Sequence, residues 1–173
     1  MTHTIAEVLI TDIRANSALK VPDSYIYDNS DIITDFHRKY LDEHKVLVRY
    51  ISDTYDDYGT MAHEYAKTGI MTVSTAYNTN TIYRDNSDNL LFRAVHDHLH
   101  LMYQLTFSVP DERKIAYVHY GLLWDYLSDL GINRNIMNNI LKVYKTDIGG
   151  QLDYLEQTGT FPDNQLEYVR KAS

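Results

Sequence analysis

The chain has 173 residues and no cysteine, which excludes disulfides, thiolate metal sites and cysteine nucleophiles. It has no apolar run of the length a membrane span needs. Its opening residues, MTHTIAEVLITDIR, lack the basic start, long apolar centre and small-residue cleavage site of a signal peptide. There is no low-complexity tract, no long block of one charge sign and no repeat of solenoid period. Basic residues are in deficit: 16 Lys and Arg against 24 Asp and Glu leave a formal charge of −8. Phosphate backbones need a basic face, so nucleic acid is excluded as an ordinary ligand. A soluble, cytoplasmic protein is expected, with neither membrane nor nucleic acid among its partners.

This length supports a single domain over 1–173 with a proper core, and 44% apolar residues make it globular. Two residue types are in surplus. Sixteen tyrosines against four phenylalanines supply apolar area with polar tips, which suits a core that must satisfy buried polar groups. The other surplus is histidine, with eight.

Helical periodicity dominates, and the expected fold class is all-α: a single-domain helical bundle with a long Asn/Thr-rich loop. The spacing predicts helices over 4–19, over 30–55 with Ser30 as its cap, over 87–106, and over 108–131 with Ser108 as cap. Three more are expected over 133–145, 147–157 and 163–171. Gly59 interrupts the pattern, and a further helical turn or two is expected within 60–69. Residues 60–86 are read as mostly loop, with room for a small hairpin.

The stretch SDNLLFRAVHDHLHLMYQL sets histidines inside an apolar run. Unrolled at about 100° per residue, its polar members Asn89, Arg93, His96, Asp97, His100 and Gln104 fall in one sector, while His98 lies opposite. His119 falls within the apolar face of the next helix, with Glu112 two turns earlier on the same stripe. His37 and His44 fall on the buried side of the long helix. Five imidazoles from three helices therefore point inward. A lone histidine on an apolar face is ordinarily a satisfied core residue. Several together are costly unless compensated, and one metal ion would take a lone pair from each.

His96 and His100, at i and i+4, have the spacing of a chelating pair. The H-E-x-x-H motif uses the same geometry, but the chain here reads H-D-H-L-H, so that motif's glutamate base is absent and no zincin is implied. The expected metal ligands are His96, His100 and His119, with His37 or His44 completing or orienting the set. A divalent ion such as Zn, Mn or Fe suits them. Asp97 would hold an imidazole or activate water, and Arg93 would pair with Asp97 or clamp an anionic substrate group.

The residues NLLFRAVHDHLH resemble a group of phage-encoded proteins carrying F-R-A-V-H-D followed closely by another histidine. In that group a Gly-His pair ends the motif, five positions after the first histidine. Here no glycine follows, and His100 stands four positions after His96. The resemblance covers about a dozen residues and implies a viral source, hence host cytoplasm, and a metal site. A looser similarity is to HD-type phosphohydrolases, all-α enzymes whose metal is held by an H…HD…D set. It implies His96-Asp97 as the central pair, His37 or His63 as the first ligand, and Asp125 or Asp147 as the last.

The expected function is a metal-dependent hydrolase acting on a small-molecule substrate. The competing class is a non-enzymatic phage protein that binds a host protein, its histidines forming a structural hydrogen-bond network. A histidine-ligated iron oxygenase and a protein that binds haem noncovalently through His37, His44 or His119 are the remaining alternatives.

Overall fold

A computed structural model describes residues 23–53, 55, 57–76 and 78–172. Among these residues the chain forms six helices and two short strands, in the order α1 (Asp23–Glu43), β1 (Leu47–Ile51), α2 (Tyr58–Thr68), β2 (Ile70–Ser74), α3 (Asn86–Tyr103), α4 (Val109–Asp129), α5 (Arg134–Thr158) and α6 (Gln165–Ala172). The expected all-α class holds. The helix expected over 4–19, with His3 before it, lies outside the described residues. None of the described helices is long and apolar enough to cross a membrane.

The long helix is shorter at its end, and earlier at its start, than the periodicity predicts. Ser30 lies inside α1 and its hydroxyl bonds back to the Tyr27 carbonyl. The helix stops at Glu43 because Lys45 takes φ 52° and Val46 N–H turns back to the Leu41 carbonyl, a left-handed C-cap made without glycine. The β-branched run that follows is a strand. Leu47, Val48 and Ile51 fit a helical stripe and a strand equally well, and tertiary pairing decides between them.

The region expected to be mostly loop contains a helix of 11 residues and a strand. Asp57 caps α2 by accepting from Thr60 N–H, and Gly69 at φ 68° ends it. The turn chemistry does not make a hairpin. β1 and β2 pair in parallel, Leu47 opposite Ile70 through Ile51 opposite Ser74, with α2 as the crossover. Parallel strands need such a connection, which a short loop cannot supply.

The two helices expected over 133–145 and 147–157 are one, α5, of 25 residues. It runs straight through Gly149 and Gly150, which are there for close packing. A Cβ on Gly149 would sit 2.8 Å from the Tyr120 hydroxyl, and one on Gly150 would sit 3.0 Å from the Tyr168 ring.

Burial divides into two apolar clusters. One joins α1, α4, α5 and α6 around Ile33, Leu123, Leu127, Ile140 and Tyr144. The other packs β2 and α2 against α3 through Met61, Met71, Val73, Val95 and Leu99, with Ile115 of α4. Phe92 packs on the first cluster and Leu91 on the second, so α3 lies between them.

Candidate metal centre

The polar strip of α3 faces two things: the exit of β2 and the first turns of α4. Asn89 bonds the side chain of Asn78 at 2.6 Å, and Arg93 donates through one nitrogen to the carbonyls of Ser74 and Ala76 at 3.0 and 2.7 Å. One and two turns further on, His96 and His100 meet Glu112. Their Nε2 atoms are 3.1 Å apart. Glu112 places one carboxylate oxygen 3.1 Å from His96 Nε2 and the other 3.3 Å from His100 Nε2. These three side chains form a group able to hold a metal ion.

The connector between α3 and α4 builds this triangle. Gln104, at φ 54°, ends α3 in the left-handed region. The reversal brings Leu105 N–H onto the His100 carbonyl at 3.0 Å. The Leu105 carbonyl in turn accepts from His100 Nδ1 at 3.0 Å. That bond fixes one proton on Nδ1, so the neutral ring offers its lone pair at Nε2, the state a metal ligand needs. Three residues on, Val109-Pro110 starts α4, with Pro110 in the first turn where its missing N–H costs nothing. The Asp111 carboxylate accepts from the backbone and hydroxyl of Thr106, and Glu112 is delivered in that first turn.

Two unprotonated ring nitrogens at 3.1 Å would repel, so the pair is held either by a proton, as when His96 Nε2–H donates to the His100 lone pair, or by a metal ion. Bonds of about 2.0–2.1 Å in a tetrahedral site set ligand atoms about 3.3–3.4 Å apart. The observed sides of 3.1, 3.1 and 3.3 Å need only a small expansion to meet this. Electrostatics point the same way. Burial would raise the Glu112 carboxyl, but the bonds and charges of His100 and His96 hold it down at about 2. Burial would lower His96, and the hydrogen bond and charge of Glu112, helped by Asp97, outweigh it and leave His96 raised. His96 Nδ1 is buried with no hydrogen-bond partner.

A cavity of about 270 Å³ reaches the His96 and Glu112 members of the triangle and is lined also by Arg93, Asp97, Ser74 and apolar side chains, with His100 buried behind them. Asp97 follows His96 in the helix and faces this space. Burial pushes its carboxyl up to about 6, against the lowering charges of His96 and His100.

No family model, curated sequence or solved structure matches this chain. The chemistry of the site therefore has to be read from its own residues.

Of the residues singled out from the sequence, His96 and His100 come together, and Arg93 and Asp97 share their cavity. His119, His37 and His44 do not join the triangle. His119 and His37 are fully buried, but both ring nitrogens that find partners, Nδ1 of His119 and Nε2 of His37, bond the Tyr144 hydroxyl at 2.8 Å. His119 also stacks on His96, with ring centroids 5.5 Å apart. Burial drives His37 down to about 3, and burial with the neighbouring imidazoles drives His119 well below its usual value. Both are neutral core groups. His44 is a correction of burial: it follows the last residue of α1, is exposed, and bonds its own helix at the Tyr40 carbonyl. His98 is buried and meets the Tyr40 hydroxyl at 3.0 Å. His63 and Asp125 are exposed, away from the triangle.

The third member, Glu112, was visible in the sequence as a neighbour of His119 on one stripe, where a first-turn acid is explained by the helix dipole. The signal that could have singled it out is the short connector, which folds α4 back against the end of α3.

Asp147 is a second buried acid, outside the triangle. Burial pushes it up to about 7, against a hydrogen bond from Gln151 at 2.8 Å. Its folded pKa lies above the ordinary 3.8, so the folded state holds the extra proton between those values. Its contribution therefore falls as pH rises from about 4 to 7. Asp147→Asn should be more stable than the wild type at pH 8, by about 4 kcal/mol, and equal to it near pH 4. Chemical denaturation at the two pH values measures the difference, and an equal effect at both would contradict the assignment.

Proposed function

We propose that the chain is a divalent-metal-dependent hydrolase, with His96 Nε2, His100 Nε2 and the Glu112 carboxylate as ligands. The observation that carries the reading is the triangle of donor atoms, two of whose members, His96 and Glu112, line a cavity together with Asp97 and Arg93. Two imidazoles and one glutamate are a donor set used for hydrolytic zinc, with a further position left for water. Asp97 occupies the place in H-D-x-x-H that glutamate holds in H-E-x-x-H. H-D-H-L-H lacks the glutamate of that motif, and a shorter carboxylate at the same position, facing the cavity, supports the same role.

When bound, the metal supplies an activated water and polarises the bond to be cleaved. Asp97 accepts the proton that the water gives up and returns it to the leaving group. Arg93, fixed to the carbonyls of Ser74 and Ala76, places a positive charge in the wall. Leu105 keeps His100 in its ligating tautomer.

Purified protein should carry about one equivalent of Zn, Mn or Fe by elemental analysis, lost in a His96→Ala/His100→Ala variant. Loaded protein should turn over members of a panel of chromogenic esters, amides and phosphate esters. Asp97→Asn should cut that turnover by about 100-fold or more while keeping the metal. Metal-free protein whose melting is indifferent to a chelator would sink the proposal.

Iron is the metal of the second reading, because two histidines and one carboxylate on one face also suit Fe(II) and dioxygen. Iron-loaded protein that consumes dioxygen, with zinc-loaded protein inert toward the panel, would favour it.

A further inference from the structure

The cavity is chemically two-sided. Its polar lining is His96 and Glu112 of the triangle with Arg93, Asp97 and Ser74; its apolar lining is Tyr55, Met61, Val73 and Phe107, the last packed on the His100 ring. Its volume of about 270 Å³ lies below the roughly 300–1,000 Å³ occupied by drug-sized ligands. A polypeptide or polynucleotide has no room at depth, whereas a ring or branched alkyl group beside one reacting carbon does.

The charges select further. At neutral pH Arg93 and Asp97 offset each other, and Glu112 cancels half the charge of a divalent ion. One net positive charge remains. That balance suits a monoanion, such as a carboxylate, better than a phosphate monoester dianion. There is also a single donor triangle among the described residues, whereas many phosphoryl-transfer sites use two metals about 3.5–4 Å apart.

We infer that the substrate is a small acyl compound, an ester or amide of an apolar carboxylic acid of about benzoyl size, whose acyl arm lies against Tyr55 and Phe107. This rests on the metal-centre reading above. In the reaction the water oxygen bonds to the acyl carbon and the C–O or C–N bond breaks. Asp97 carries one of the water's protons to the departing alcohol or amine; the acid leaves as its carboxylate, and the second proton goes to the amine or, with an alcohol, to solvent. No electrons are gained or lost.

The test uses the whole chain loaded with zinc, its zinc content measured first, and titrated calorimetrically with benzoate, acetate, benzamide and phenyl phosphate. Benzoate should bind at least tenfold more tightly than each of the other three. Tyr55→Ala should weaken benzoate at least threefold and leave acetate unchanged. Phe107→Leu, which keeps an apolar side chain beside His100, should do the same with zinc content unaltered. A loaded chain that prefers phenyl phosphate, that binds acetate as well as benzoate, or that binds none of the four overturns the acyl assignment and leaves the metal centre standing. A chain that takes up no zinc fails at the metal centre itself, and the acyl assignment falls with it.

Discussion

Zinc added in large excess over its dissociation constant should raise the melting temperature of the metal-free protein by roughly 10 °C. A ligand present at about a thousand times its dissociation constant stabilises the folded state by about 4 kcal/mol. For a chain of this size each kcal/mol shifts the midpoint by about 2–4 °C. The effect should vanish in Glu112→Gln, the cleaner variant of the two obvious ones. It keeps the size of the side chain and replaces only the ionised oxygen, whereas His100→Ala also removes the bond to Leu105 and empties a fully buried position. Differential scanning calorimetry with and without zinc reads both. A wild-type midpoint indifferent to zinc, or a Glu112→Gln midpoint that still responds fully, would refute the ligand assignment.

Tyr144→Phe should cost about 3 kcal/mol, a large loss for the removal of one oxygen atom. The Tyr144 hydroxyl is fully buried and touches two neutral imidazoles, accepting from one and donating to the other. Each ring already has a second nitrogen, His37 Nδ1 and His119 Nε2, buried with no hydrogen-bond partner. Without the hydroxyl neither ring would keep any bond, and each stranded group costs about 1–3 kcal/mol. Substituting His37 by Leu in the same chain removes one stranded group, so the double variant should lose less than the two single losses added together. Urea denaturation of the four proteins closes that cycle. Zinc uptake should be unchanged in Tyr144→Phe, because the hydroxyl has no part in the donor triangle. A Tyr144→Phe variant as stable as the wild type would show that the imidazoles find other partners.

The sequence was informative where periodicity and cap chemistry agreed. α3 and α4 lie within a few residues of their expected bounds, and the polar sector of α3 does face one side. It misled where a pattern fits two structures. Val46 to Ile51 continues the stripe of α1, and only Lys45 in the left-handed region separates them; lysine carries no sign of that role. A break was expected after Lys145, yet the helix runs on through Gly149 and Gly150, sites of close approach to Tyr120 and Tyr168, which are distant in sequence. The inward-pointing histidines were legible one by one, but their grouping was not. A helical wheel gives direction about an axis and says nothing of depth or of which neighbour waits there. His96 and His100 found a carboxylate, while His37 and His119 found a phenol.

The five residues from Gln104 to Ser108 turn one helix into the next, supply the oxygen that sets His100 and fix the approach of Glu112. Surface connectors are ordinarily where a chain absorbs insertions and deletions most freely. Here a single added or missing residue would leave every helix foldable and yet pull the carboxylate out of reach of both rings. Relatives that vary in length would be expected to spare this turn and to lengthen elsewhere, and an engineer seeking a permissive place to graft a peptide should avoid it.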